Sequence, residues 1–206
     1  MKKTLVISYT PRKNSNTKKL VDYFVEINAD KTEISFVDLV KFPPDLLLRE
    51  NLNLFVDRNS KGVTLNAKEQ KILNHNDKMM QQVLDTDYIV VASPMYNFSL
   101  PATVKAWIDA IIQSGKTFTM TGMGPKGLCE NKKALVLMTS GSDFAIEPLK
   151  SVNFATSLLS ACFNFIGIPL ESVNAFGLEQ YPDELSKKLD KAKRKIQIVS
   201  KKWYSL

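Results

Sequence analysis

The sequence predicts an α/β fold, namely a three-layer α/β/α sandwich around a five-stranded, mainly parallel sheet. Segments with strand character alternate with helical segments five times, which requires crossover connections and helices on both faces of the sheet. Residues 88–92 form a continuous apolar run of the kind found in central strands that are buried on both faces. The 206 residues, 44% of them hydrophobic, predict one globular domain spanning residues 1–206.

The first half of the chain predicts two strands and two helices. Residues 5–9 are a short apolar run, and Leu20, Phe24 and Ile27 follow at helical spacing. Residues 33–40 alternate well enough for a second strand, which two prolines end. Residues 66–84 have high helix propensity, with an inward side of Ile72, Met79, Met80 and Val83. No conformation is predicted for the polar and leucine-rich residues 45–62.

The second half continues the alternation after the central strand at 88–92. Pro101 suits the first turn of a helix, whose apolar positions follow at helical spacing: Val104, Trp107, Ile108, Ile111 and Ile112. Residues 117–131 are rich in Gly and Thr and predict a hairpin. The remaining predicted elements are strands at 134–138 and 173–177 and helices at 154–166 and 182–203.

Charge and composition narrow the class of protein. Much of the net charge of +7 falls on the last helix, where basic residues surround an apolar stripe. We interpret this as a core-packed helix with a solvated basic face, because no aromatic residues interleave the charges as nucleic-acid binding would require. The basic residues are Lys187, Lys188, Lys191, Lys193, Arg194, Lys195, Lys201 and Lys202, and the stripe is Leu185, Leu189, Ala192, Ile196, Val199 and Trp203.

The cysteine pattern and hydropathy predict a cytoplasmic protein without a membrane partner. Cys129 and Cys162 lie far apart and His75 is the one histidine, so neither a disulfide scaffold nor a zinc site is predicted. The N-terminal apolar run is too short for a secretion signal. No stretch reaches the roughly 20 apolar residues of a membrane helix.

Three loops follow predicted strands at the edge where open parallel sheets bind ligands. The first, residues 10–17, lacks the glycine patterns of dinucleotide and nucleoside-triphosphate sites. It carries hydroxyls and amides at the start of a helix: Thr10, Asn14, Ser15, Asn16 and Thr17. These groups suit a phosphate monoester at a helix N-terminus, although a plain N-cap would need only Asn14 or Ser15, and both interpretations stay open.

The second loop, "SPMYNFSLP" at residues 93–101, favours a flat aromatic ligand. Met95, Tyr96 and Phe98 offer apolar surface to a ring system, and the amide of Asn97 can bond its heteroatoms. No protein acid or base is needed where a cofactor carries the electrons. The alternative is that Met95 and Phe98 fill the core beneath the next helix. The crowding of apolar residues between two prolines favours the ring.

The third loop begins with Thr139, Ser140 and Gly141 and continues to Ser142. Its glycine allows the backbone to approach another group closely, and hydroxyls stand on either side. It is either an ordinary turn or the support for the polar edge of the same ring.

The motifs together resemble the FMN-dependent NAD(P)H azoreductase and quinone reductase family. The match spans nearly the whole chain in order, and "PMYNF" with the helix after it is its most specific part. The matching segments are "TPR" at 10–12, "SNT" at 15–17, "PMYNFSLPATVKAWID" at 94–109, "GKTF" at 115–118, "GPKGL" at 124–128, "TSG" at 139–141 and "FIGI" at 165–168.

The resemblance implies a flavodoxin-like fold with strand order 2-1-3-4-5, bound FMN, and a homodimer with two active sites at the subunit interface. By position, Ser15, Asn16 and Thr17 would hold the FMN phosphate with Thr10 nearby. Pro94, Met95, Tyr96, Asn97 and Phe98 would border the isoalloxazine, and Thr139, Ser140 and Gly141 would flank its pyrimidine edge. Candidates for lining the substrate site are Phe118, Met120 and Phe163.

Two departures from the family pattern affect the expected substrate pocket. Ser142 stands where the family commonly has a second glycine, and Met120 stands where it often has an aromatic residue. The preferred acceptor is therefore not predicted from the sequence.

The implied function is hydride transfer from NADH or NADPH, through FMN, to quinones or azo compounds by a ping-pong mechanism. No catalytic side chain and no metal are expected, because the flavin carries the chemistry. The alternative is a flavodoxin-like electron carrier or redox-sensing module without turnover. A hydrolase is disfavoured, since His75 is expected to be solvated and no carboxylate pair stands at the sheet mouth.

Overall fold

The computed structural model describes residues 1–204 and is built on a parallel sheet of five strands in the order β2-β1-β3-β6-β7. An antiparallel pair, β4 and β5, forms a separate hairpin. The strands are β1 (Lys3–Ser8), β2 (Glu33–Asp38), β3 (Tyr88–Pro94), β4 (Phe118–Thr121), β5 (Gly124–Gly127), β6 (Lys133–Thr139) and β7 (Leu170–Ala175).

Residues 1–204 contain six α-helices, of which five pack on the two faces of the sheet and one, α2, lies against α3. None of these helices combines the length and the apolar character needed to cross a membrane. The helices are α1 (Asn16–Asn28), α2 (Arg49–Lys61), α3 (Ala67–Leu84), α4 (Ala102–Ile111), α5 (Phe154–Phe165) and α6 (Leu185–Tyr204).

The predicted parallel sheet of five strands is confirmed, but the predicted order 2-1-3-4-5 is not reproduced strand for strand. The observed order is 2-1-3-6-7, because the two hairpin strands come between β3 and β6 in the sequence and take the numbers 4 and 5. The prediction numbered only the strands of the sheet and treated the hairpin as an excursion.

Two apolar cores form because β1, β3 and β6 are buried on both faces. On one face the sheet packs against α3, α4 and α5, with Trp107 fully buried. On the other face it packs against α1 and α6, where the ring of Tyr88 stacks on Trp203 at 4.8 Å between centroids. The apolar stripe predicted for α6 faces this second core.

The strand register brings three loops to one edge of the sheet. Ser8 of β1 lies beside Ala92 of β3, and Pro94 of β3 lies beside Thr139 of β6. The hydrogen bonds continue past the strands, since the N–H of Met95 donates to the carbonyl of Thr139 at 2.8 Å. The loops after β1, β3 and β6 are therefore direct neighbours.

Helix α2 lies within the segment for which the sequence predicts no conformation, and no side chain of this helix is buried. It ends at Gly62, whose φ of 69° is left-handed. A polar clamp attaches it to α3: Arg58 donates to both carboxylate oxygens of Asp77, at 2.6 and 2.8 Å, and also to the Gln113 side chain at 3.2 Å.

The hairpin is attached to the core by a backbone contact between two glycines. A Cβ at Gly127 would collide with the backbone of Gly167, just beyond α5. Gly167 itself has a φ of 88°, which side chains rarely adopt. Any side chain at Gly127 would push β5 away from α5.

Phe163 does not line an open pocket, and its assignment to the substrate site is wrong. Its side chain is 0% exposed and lies in the core, with its ring 6.3 Å from that of Trp107. Phe165, two residues further along α5, is 36% exposed, and its ring centroid lies 4.6 Å from that of Phe118 in the hairpin. The two residues therefore stand in different environments of α5.

We expect Phe163→Ala to lower the free energy of unfolding by about 3–5 kcal/mol, because it opens a cavity in the packed core. Phe165→Ala, which trims the more exposed ring of the same helix, should cost less than half as much. Urea unfolding of both variants measures this. Equal costs at the two positions would contradict the placement of Phe163.

We expect Asp77→Asn to lower the unfolding free energy at pH 7 by about 1–3 kcal/mol. Burial raises the pKa of Asp77, but hydrogen bonds from Arg58, together with those from Gln113 and Gln70, outweigh it and hold this pKa below its ordinary value. The clamp's stabilisation is thus present above the unfolded pKa of about 3.9 and is lost as pH falls through the lower folded value.

Urea unfolding at a series of pH values tests this sign. The difference between wild type and Asp77→Asn should shrink as pH falls below about 4. Asp57→Asn is the control, since its pair with Lys61 is exposed and should contribute less than about 1 kcal/mol. A difference that grows in acid would rule out the ionised clamp.

Candidate functional site

A cavity of about 250 Å³ lies at the carboxyl edge of the sheet, between the three loops. It brings together most of the residues that the sequence assigns to FMN. Those at the cavity are Ser15, Asn16, Thr17, Pro94, Met95, Tyr96, Thr139, Ser140 and Gly141.

The first loop places the N-terminus of α1 at this cavity. The hydroxyl oxygen of Ser15 accepts a hydrogen bond from the N–H of Lys18 at 3.1 Å, so Ser15 is the N-cap. The N–H groups of Asn16 and Thr17 have no partner within the helix, and the first turn contains no acidic residue. The cap therefore coexists with free donors and the positive end of the helix dipole, which suit an anion.

A buried hydrogen bond joins the first loop to the third. The hydroxyls of Thr17 and Thr139 lie 2.6 Å apart, and the two residues are only 1% and 5% exposed. Thr139 also accepts the N–H of Met95 through its carbonyl. One residue at the end of β6 thus connects all three loops.

The second loop contains a tight turn in a strained conformation. Tyr96 and Ser99 exchange two backbone hydrogen bonds of 2.9 Å, and both residues between them have positive φ, 44° at Asn97 and 69° at Phe98. This is the geometry of a type I′ turn, which is unfavourable for a phenylalanine. The carbonyl of Phe98 accepts the N–H groups of Phe154 and Ala155 at 3.0 and 3.2 Å, so the first turn of α5 holds the turn in place.

The aromatic residues of this turn are not simply core filler. Tyr96 is 39% exposed and lines the cavity, and Phe98 is 47% exposed. Met95, at 9% exposed, belongs both to the core and to the cavity wall. Burial and the nearby Tyr9 raise the pKa of Tyr96, so its phenol stays protonated near neutral pH and can donate a hydrogen bond.

An ion pair contributes to the lining beside the third loop. Arg12 donates to Glu179 at 3.0 Å, with both side chains mostly exposed. A Cβ at Gly141 would lie 2.7 Å from a carboxylate oxygen of Glu179, so the glycine permits this approach. Leu178 and Glu179, in the loop after β7, were missed by the sequence reasoning, although that loop also follows the carboxyl end of a strand.

Five other residues assigned from the sequence lie outside the cavity lining. Thr10 lines a separate cavity with Asp38 and Lys41. Asn97 and Phe98 form the turn beside the site, while Phe118 and Met120 lie on the hairpin, where Met120 is 64% exposed.

Comparison with known proteins places the chain in a family. A family model described as a flavodoxin-like fold matches residues 2–199. The FMN-dependent NADH:quinone oxidoreductase of Hydrogenovibrio crunogenus is 33% identical over 188 residues, which cover 89% of this chain and 91% of that protein. The chain belongs to the flavodoxin-like family of FMN-dependent quinone reductases and azoreductases.

Further members of this family agree in both sequence and structure. The FMN-dependent NADH:quinone oxidoreductase of Francisella philomiragia is 31% identical over 204 residues, covering 97% of this chain and 100% of that protein. The azoreductase from Bacillus anthracis superposes with a TM-score of 0.88 at 26% identity, covering 98% of this chain and 100% of that one. The family resemblance inferred from the motifs is confirmed.

We expect a double-mutant cycle on Thr17 and Thr139 to show coupling. Thr17→Val and Thr139→Val each leave one buried hydroxyl unpaired and should each cost about 1–2 kcal/mol of unfolding free energy. The double variant removes both hydroxyls, so its cost should fall short of the sum by at least about 0.5 kcal/mol. Strictly additive costs in urea unfolding would show that the 2.6 Å contact does not join the loops.

Proposed function

We propose that this chain is an FMN-dependent oxidoreductase that transfers a hydride from NADH or NADPH to quinones or azo compounds, with donor and acceptor using one site in turn. The observation that carries the proposal is a single cavity that joins the N-terminus of α1 to a rigid aromatic turn. One end of such a site suits a phosphate and the other a flat ring.

The donor groups at α1 fit the phosphate of FMN. Asn16 and Thr17 supply backbone N–H groups, and the hydroxyl of Ser15 can still donate while it caps the helix. Arg12 lines the same cavity. Its exposed pair with Glu179 contributes little to stability, so the guanidinium is free to turn toward an anion.

The aromatic turn fits the ring end. The cavity volume of about 250 Å³ lies below the roughly 300–1,000 Å³ of sites that enclose a whole ligand. We infer that the cavity encloses the phosphate end, while Met95, Tyr96 and Phe98 border the ring at its open side. The strained turn is fixed by α5, so these side chains are positioned before the ligand binds.

The chain's own residues have binding and orienting roles in this proposal. When bound, FMN would supply the hydride chemistry of the reaction. The neutral phenol of Tyr96 and the backbone of the third loop offer polar contacts to the ring edge. The half-exposed ring of Phe98 would shield the bound ring from water.

We further propose that a second copy of this chain covers the open side of the site as a homodimer. Large apolar side chains are exposed on the elements around it. They include Phe98 at 47%, Ile146 at 51%, Phe154 at 55% and, on the hairpin, Met120 at 64% and Met123 at 100%. A pairing of two copies would bury such side chains.

Two remaining proposals concern organisation and location. We propose that residues 1–206 act as one domain, because both apolar cores pack on the same sheet. We propose a cytoplasmic location, because Cys129 and Cys162 are free thiols, as is usual in a reducing compartment.

The test begins with an absorbance spectrum of the purified protein and an FMN titration. We expect a flavin spectrum, bleaching by NADH under anaerobic conditions, and steady-state NADH oxidation with menadione or methyl red as acceptor. Parallel lines in double-reciprocal plots are expected for the ping-pong scheme. A flavoprotein that shows no acceptor-dependent rate would instead be an electron carrier, and a protein that ignores FMN would refute the proposal.

Asn16→Asp tests the phosphate end of the site. A carboxylate in the first turn of α1 should favour the helix, yet it should repel a phosphate and weaken FMN binding by about tenfold or more. Asn53→Asp makes the same change on the exposed surface of α2 and serves as the control. Unchanged FMN affinity in Asn16→Asp would place the phosphate elsewhere.

A further inference from the structure

The segment that begins with the third loop, residues 139–145, borders a second cavity in addition to the candidate FMN site. Residues 139–141 line the first cavity, whereas Asp143, Phe144 and Ala145 line a cavity of about 480 Å³. Its other walls come from α6, from the residues where β7 ends and from the segment just before α5. We call it the lysine cavity, after Lys150, Lys188, Lys191 and Lys195, which line it.

The charge of the lysine cavity is strongly positive. Three of the lysines, 188, 191 and 195, follow one another at helical spacing on α6, so they share one side of that helix. Asp143 is the carboxylate in the lining, and it accepts from Lys188 at 3.1 Å. In residues 1–204, Lys150, Lys191 and Lys195 form no ion pair.

Two asparagines add neutral polar groups to the same cavity. Asn153 accepts the N–H of Thr156 through its side-chain oxygen, which leaves its amide N–H groups available. Asn174 has a buried side-chain oxygen with no hydrogen-bond partner in the described part of the chain.

We propose that the lysine cavity binds a polyphosphate group, such as the diphosphate of a nucleotide. Ammonium and amide donors line it, and the charged oxygens of a phosphate accept hydrogen bonds from both. Three unpaired lysines match the several negative charges of a diphosphate better than the charge of a single carboxylate. The volume lies within the range of small-molecule sites, and the concave shape favours a compact ligand over an extended nucleic-acid strand.

A ring contact connects the lysine cavity to the aromatic turn. Phe144 lines the cavity, and its ring packs edge to face on Phe98 at 5.9 Å between centroids. The diphosphate therefore has two sources. Either the diphosphate is part of the nicotinamide donor, an assignment that rests on the proposed function, or it is part of a separate phosphorylated ligand, an assignment that does not.

Lys191→Gln/Lys195→Gln tests the site and leaves the folded core untouched. Its control is Lys187→Gln/Arg194→Gln, which removes two positive charges from α6 outside the cavity lining. Inorganic pyrophosphate and ADP are titrated calorimetrically into each protein at low salt, after saturation with FMN. We expect the wild type and the control to bind both probes and the cavity variant to bind about tenfold or more weakly.

Steady-state kinetics then distinguish the two sources. Competitive inhibition by pyrophosphate against NADH or NADPH, with a raised KM for the donor in the cavity variant, assigns the diphosphate to the donor. Pyrophosphate binding with an unchanged KM assigns it to a separate ligand. The proposal is overturned if the wild type binds neither probe, or if the control variant loses as much affinity as the cavity variant.

Failure of the proposed function would be recognised separately. It shows as a lack of FMN binding before any phosphate probe is added. In that case, the same titration and the same pair of variants still decide whether the lysine cavity binds pyrophosphate.

Discussion

The geometry of the site depends on the parallel pairing of β1, β3 and β6. Parallel strands end at one edge, and the first backbone groups beyond that edge must find new partners. Here Thr139 provides them, because its carbonyl accepts the N–H of Met95 and its hydroxyl bonds to Thr17. The same contacts that satisfy the ends of the strands therefore position the helix N-terminus, the aromatic turn and the glycine loop around one cavity.

The strained turn and the start of α5 stabilise each other. A phenylalanine with a φ of 69° is unfavourable by itself, whereas the first N–H groups of a helix lack partners within that helix. The carbonyl of Phe98 accepts two of those N–H groups, so one contact satisfies the helix end and holds the turn. An aromatic platform that is fixed in this way loses little conformational entropy when a ring binds.

The sequence predicted those elements whose side chains are buried in a core, either as a continuous apolar run or as an apolar stripe at helical spacing. The runs in β1, β3 and β6 and the stripe of α6 show this, because each is set by contact with a core. Helix α2 has no buried side chain and is held by the contact of Arg58 with Asp77, which no local pattern reveals. Phe163 was misassigned because its place beside a family motif does not show which way it faces. Glu179 reaches the site only through the tertiary fold.

The basic face of α6 shows why charge alone was a poor guide to function. From the sequence, all of its lysines belong to one solvated surface, yet the fold separates them. Because β7 is an edge strand, no further strand fills the space beside it, and a concavity remains between α6 and the end of the third loop. Lys191 and Lys195 line this concavity, whereas Lys187 and Arg194 do not. Residues 139–145 form a wall of this concavity and also line the candidate FMN site. A ligand in either cavity would therefore contact the same short segment.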